Sequence, residues 1–171
     1  MKMANFSSTL ARKMVVKTTL IGCIAMAGTG VSADVRVAAF SEGRGFHSLM
    51  SGDLELAQKA LPKHGLRNLD YADANNLCVL QILQENEAAA VQTCRKALNK
   101  VEETTMKRTA MKKVKAEIYA NLAAAEMLGG HYPEAQRSLD KALSLSKTPA
   151  KAVSNAAENQ RALRSRLLAA N

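Results

Sequence analysis

The sequence holds no tryptophan, and only three phenylalanines and three tyrosines among its 171 residues. So few rings exclude a base-stacking platform, which needs aromatics interleaved with cations to hold single strands. Convincing alternation of apolar and polar residues is missing too, and with it any segment that reads as a strand. Without strands there is no glycine-rich phosphate loop of the kind that follows one. The three histidines, His47, His64 and His131, lack ligand spacing, and the three cysteines make no metal cluster. No serine lies in a nucleophile elbow, and nothing in the spacing assembles a serine, a histidine and an aspartate. These absences set the expectation of a chain that is not an enzyme and carries no cofactor or metal. What abounds is alanine and leucine, in an all-α pattern.

Acidic residues are absent from the first 33 positions, which contain Lys2, Arg12, Lys13 and Lys17. An apolar run of small residues from Leu20 to Val31 follows, and Val31-Ser32-Ala33 offers small side chains at the two sites a signal peptidase reads. This is the pattern of a secretory signal peptide cleaved after Ala33. The run is shorter than the roughly 20 residues that cross a bilayer. A rival reading is the lipobox-like Leu20-Ile21-Gly22-Cys23, whose cysteine would be lipidated. The apolar run before Cys23 is very short, however, and the better cleavage site lies beyond it. The expected division is a signal peptide over 1–33 and one domain over 34–171. The product is expected to be periplasmic or secreted, with no stable membrane insertion. Cleavage lowers the formal charge from +9 to +5, because the leader takes four cations and no anions. That mild basicity argues against a nucleic-acid partner.

Helix signals punctuate the remainder. Val35 to Ser51 reads as a first helix, interrupted by Gly43 and Gly45. Asp53 can cap a second, from Leu54 to Leu61, which Pro62 and Gly65 end. A third runs from Leu69 or Asp70 to Gln84, and after the turn Glu85-Asn86 a fourth covers Ala88 to about Val101. A fifth begins between Thr104 and Thr109 and stops at Leu128 before Gly129-Gly130. Pro133 suits the first turn of a sixth, ending near Ser146. Thr148-Pro149 leads into a last helix over Lys151 to Ala169, whose thin apolar stripe fits it to seal an end.

These segments repeat. Asn76-Leu77-Cys78, Ala90, Cys94 and Ala97-Leu98 recur 45 residues later as Asn121-Leu122-Ala123, Ala135, Leu139 and Ala142-Leu143. A weaker upstream copy holds Gly45, Gly52, Ala57 and Leu61, with Ala57 lying 33 residues before Ala90. In the last copy, Gly129-Gly130-His131-Tyr132-Pro133-Glu134-Ala135 links the two halves. This copy resembles a tetratricopeptide repeat, a helix–turn–helix of about 34 residues. Departures are clear. Glu85 stands for the turn glycine, His64 for a small residue, and the family's tryptophan is missing, with Tyr119 in its place in the last copy. Eleven surplus residues between Asn99 and Lys115 either lengthen the flanking helices or form a basic loop.

The resemblance implies a short α-solenoid of three helix pairs and a capping helix that binds a protein or peptide partner. By register its groove would be lined by Phe46, Leu49 and Met50 from the first copy. The second supplies Asn75, Val79, Ile82 and Leu83, and the third Ala120, Ala124, Met127 and Leu128. Three readings of this apolar set stay open: a trough for an extended or helical peptide, an array that curls or dimerises over it, and plain core.

Cys78 and Cys94 lie eight residues either side of Asn86, on antiparallel helices that bring such positions level. In an exported chain a disulfide is expected, with two buried reduced thiols as the alternative. Lys107, Arg108, Lys112, Lys113 and Lys115 read as a solvated face, with an anionic partner as the sharper option. The expected function is an envelope protein–protein interaction module. The alternative is a structural or stress-related helical protein that associates with its own copies.

Overall fold

The computed structural model describes residues 35–61, 69–145 and 152–169. The expected leader, Cys23, His64, the breakers Pro62 and Gly65, and Thr148-Pro149 lie outside them. The described residues form seven α-helices and no strand, so the fold is all-α: α1 (Phe46–Ser51), α2 (Leu54–Ala60), α3 (Tyr71–Leu83), α4 (Glu87–Glu102), α5 (Arg108–Leu128), α6 (Tyr132–Leu145) and α7 (Ala152–Ala169).

Side-chain caps set the starts of α2, α3 and α4. The Asp53 side chain accepts a hydrogen bond from the Leu56 amide (2.9 Å), and Asp70 accepts one from Asp73 (2.8 Å). Each satisfies a backbone donor that the first helical turn would leave orphaned. Asn86 caps α4 in the same way. Three turns then repeat in detail. Gly52 and Asp53 donate backwards to Leu49 and Ser48, Glu85 and Asn86 to Ile82 and Gln81, and Gly130 and His131 to Met127 and Glu126. In each, the second bond reaches five residues back, closing the helix end as a left-handed residue permits. The left-handed residues are Gly52 (φ 78°), Glu85 (φ 57°) and Gly130 (φ 75°). Their spacing, 33 and then 45 residues, is the spacing of the sequence repeat.

The surplus residues of the last interval lengthen both flanking helices, to 16 residues in α4 and 21 in α5. Lys107, Arg108 and Lys113 are exposed at the start of α5, while Lys112 and Lys115 are half-buried. Lys115 pairs with Glu102 across the short connection.

Helices α1, α3, α5 and α7 touch in series, and α2, α4 and α6 each pack on the odd-numbered helices that flank them in sequence. Alanines make this close packing feasible. Ala57, Ala90 and Ala135, equivalent in the three copies, are all 0% exposed. Large side chains such as Leu49, Leu80, Ile118 and Leu139 are buried with them. One apolar cluster joins α1 to α5, and a second joins α5, α6 and α7 around Met127, Leu139 and Leu163. Cys78 and Cys94 form a disulfide linking α3 to α4, with Cα atoms 5.3 Å apart.

One element differs from the sequence reading. Residues 35–40 are not helical, and the first helix is confined to Phe46–Ser51. Two causes act together. Val35 and Val37 are β-branched, which favours extended backbone. The backbone groups that a helix would have paired internally find side-chain partners instead. The return into α1 uses glycine at two places. A Cβ on Gly43 would lie 2.7 Å from the Ala72 carbonyl oxygen, and Gly45 has φ 74°.

Candidate functional site

Residues 35–40 run as an extended thread across α7, α5 and α3, and Val37, Ala38, Ala39 and Phe40 are buried. Buried backbone must be hydrogen-bonded, and among the described residues no strand lies beside the thread to do it. Asparagines take that part. Asn159 of α7 accepts from the Arg36 amide (2.7 Å) and donates to the Arg36 carbonyl oxygen (2.9 Å). Asn121 of α5 does the same at Ala38 (2.8 and 2.9 Å). Asn76 of α3 does the same at Phe40 (2.7 and 2.9 Å). A carboxamide carries the donor and acceptor of a peptide group, so each asparagine stands in for one residue of a partner strand.

The second N–H of each carboxamide is also used. Asn159 donates to the Ala120 carbonyl, Asn121 to the Asn75 side-chain oxygen (2.8 Å), and Asn76 to the Arg44 carbonyl (3.1 Å). Asn75 adds a further bond to the Ala38 carbonyl (2.8 Å). Asn76, Asn121 and Asn159 thus each use both N–H groups and the side-chain oxygen. Aspartate would lose the donors, glutamine would overreach, and an apolar residue would orphan two buried backbone groups, each costing about 1–3 kcal/mol.

The register follows from strand geometry. Alternate residues of an extended chain are about 6.7 Å apart and turn their N–H and C=O to the same side. Helix axes pack about 8–10 Å apart. The three carboxamides must therefore converge as they leave α3, α5 and α7, which short side chains on alanine-rich helices allow.

Side-chain contacts flank this row. Arg36 pairs with Glu158 of α7. Phe40 meets Tyr71 edge-on, with ring centroids 6.0 Å apart. Tyr71 donates to Glu42 (3.0 Å) and stays protonated, its hydroxyl pushed up to about 12 by burial first and then by the Glu42 charge. Asp73 accepts from the Arg44 amide (2.7 Å) and from its guanidinium. That hydrogen bond is the main reason the Arg44 pKa is raised. On the far side of α5, buried Glu126 accepts from the Ser138 hydroxyl (2.7 Å), with Arg95 3.5 Å away. Desolvation nonetheless lifts its carboxyl above the ordinary range, against the pull of Ser138 and Arg95.

The residues expected to line an apolar groove are distributed over both core clusters. Phe46, Leu49, Val79, Ile82 and Ala124 lie in the first core cluster together with Val37, Ala39 and Phe40 of the thread. Met50 and Leu83 pack against that cluster. Ala120 and Met127 belong to the second cluster, and Leu128 is 36% exposed. Of the expected set, Asn75 contacts the thread's main chain through a hydrogen bond. Asn76, Asn121 and Asn159 were missed, although recurrence of Asn76 at Asn121 is part of the repeat itself. Asn159 follows 38 residues later, off the earlier spacing.

Among the described residues no helix is long and apolar enough to cross a membrane, and no group of three histidine, cysteine or acidic side chains is placed to hold a metal ion. Compared with known protein families, with characterised proteins and with solved structures, the chain matches none.

Proposed function

We propose that this chain is a non-catalytic interaction module of the tetratricopeptide type, exported to the cell envelope, whose inner face grips an extended peptide by its main chain. The three matching turns, their 33- and 45-residue spacing and the serial contact of α1, α3, α5 and α7 support a short solenoid sealed by α7. The observation that carries the function is the asparagine row. Three carboxamides on three successive inner helices hold alternate residues of one extended segment, at Arg36, Ala38 and Phe40. Main-chain bonds of this kind supply affinity without demanding one sequence, as strand addition does. The leader pattern supports export, and the disulfide agrees with an oxidising compartment.

The test is selection from a displayed library of random decapeptides, with counter-selection on Asn121→Leu. Peptides that bind the unaltered chain and lose at least about tenfold in affinity on Asn121→Leu are expected. Recovery solely of peptides indifferent to Asn76, Asn121 and Asn159 would remove the proposal.

Self-association is a second reading, favoured by the fact that every copy carries a segment that fits this face. Light scattering decides it: a stable dimer whose mass reverts to the monomer on Asn121→Leu supports exchange of residues 35–40 between copies.

A further inference from the structure

We infer that the groove selects free segments of the pattern basic–apolar–small–small–aromatic, and that residues 36–40 are a built-in competitor for that site. This rests on the peptide-binding reading above and adds to it which peptides bind and what restrains them.

The pattern comes from the two faces of the thread. Side chains of an extended segment alternate, so positions 37 and 39 share one face and positions 36, 38 and 40 the other. Val37 and Ala39 are both 2% exposed and belong to the core cluster with Phe40 and Leu49. A charged or bulky residue at either would have no room. Ala38 is also 2% exposed, held between Asn75 and Asn121. Any side chain much larger than a methyl would push those carboxamides off its backbone. Arg36 is matched by Glu158. Phe40 is 5% exposed and seated against Tyr71. The main-chain bonds are blind to sequence, so the preference resides in Glu158, in the tight space around position 38 and in the aromatic seat.

Competition follows from the tether. Residues 41–45 join the thread to α1, so the internal copy is always close at hand. A short tether gives an effective concentration in the millimolar range. An outside peptide sees its affinity reduced by the fraction of molecules whose thread is out of the groove. Raising that fraction without touching α3, α5 or α7 should unmask binding. Ala38→Pro does so, because proline removes the amide that Asn121 accepts from. Arg36→Glu is a milder change that keeps every main-chain bond and sets two carboxylates side by side.

The experiment uses the full chain and a fluorescein-labelled peptide with the sequence of residues 34–43, read by fluorescence anisotropy. Ala38→Pro and Arg36→Glu chains are each expected to bind it at least about tenfold more tightly than the unaltered chain. Adding Asn121→Leu should abolish that gain. Within the peptide, Arg→Glu is expected to weaken binding about fivefold, and Glu158→Lys in the chain to reverse that preference. Phe→Ser should cost about thirtyfold, and Ala→Leu at the central position about tenfold. If altered peptides bind as well as the original and still need Asn121, the side-chain pattern is wrong while main-chain gripping stands. If neither thread variant binds any of the peptides although the Arg36→Glu chain keeps its helical circular dichroism, both ideas fall. A stable dimer of the unaltered chain that excess peptide leaves intact would make a second copy the occupant and overturn the inference.

Discussion

Pair α3–α4 turns through Glu85 and pair α5–α6 through Gly130, and both turns close with the same two backbone hydrogen bonds. A shift of 45 residues maps one pair on the other, and the mapped positions are filled by different chemistry. Cys78 and Cys94, bonded, correspond to Ala123 and Leu139, which are buried without a covalent link. Gln81 and Thr93 correspond to Glu126 and Ser138. The latter two are hydrogen-bonded, whereas the Gln81 side-chain oxygen is buried with no partner. The same backbone is thus held once by a cross-link across an imperfectly satisfied seam, and once by apolar packing beside a satisfied but ionisable one. The asparagine that faces the thread is common to both, at Asn76 and Asn121. What varies between the pairs is how they are stabilised, and what stays constant is the face they present.

The sharpest way to break this contrast is to transplant the packing of one pair into the other. A cross-link spanning 16 residues contributes about 3 kcal/mol, chiefly by restricting the unfolded chain. Cys78→Ser with Cys94→Ser should lose about that much in urea unfolding. Cys78→Ala with Cys94→Leu, copying Ala123 and Leu139, should recover about 2 kcal/mol of it through added apolar burial. It should also make stability indifferent to reductant, while the parent chain falls on reduction. If the copied pair proves no better than the serine pair, the two seams are not equivalent in shape.

Glu126 gives the next contrast, in pH dependence. Burial raises its folded-state pKa above the ordinary 4.5, so the folded chain binds this proton more tightly than the unfolded chain. Its contribution to stability is therefore full below pH 4.5 and is lost as pH rises through the folded-state pKa. Glu126→Gln copies the neutral Gln81 and keeps an acceptor for the Ser138 hydroxyl. It should raise stability at pH 7 by less than the disulfide contributes and flatten this part of the stability–pH curve. An unchanged slope would mean that water or Arg95 already compensates the charge.

Much of this architecture was legible in the sequence. Helices α2, α3, α4 and α6 begin, and α5 ends, at residues whose local chemistry sets the boundary, in Asp53, Asp70, Asn86, Pro133 and Gly130, and local chemistry can be read one residue at a time. The thread was not legible. Val-Arg-Val-Ala-Ala-Phe carries both β-branched and helix-favouring residues, so propensity leaves it undecided. Its partners stand 36, 83 and 123 residues away along the chain. The site suffered in the same way. Register along the helices placed Asn75 beside the expected groove, but apolar residues at that register were free to serve either as lining or as core. The thread covers the face that hydrophobicity alone left open.

The smallest expected effect concerns the turns themselves. Glu85 occupies a left-handed conformation, which costs a residue with a Cβ about 1–2 kcal/mol. Glycine would remove that strain but would lose about 0.5–1 kcal/mol through greater freedom in the unfolded chain. Glu85→Gly should therefore stabilise by about 0.5–1 kcal/mol, and Gly130→Glu should destabilise by a similar amount, both read as shifts in the urea midpoint. The two changes are reciprocal only if the turns are physically alike. Neither position is crowded by the thread, so both variants should leave protection of the amides at 36, 38 and 40 from hydrogen exchange in proportion to global stability. A Gly130→Glu chain that loses much more than Glu85→Gly gains would show that the α5–α6 turn lacks something its counterpart has. The disulfide, tying α3 to α4 across a turn that must hold a strained residue, is the feature that would account for it.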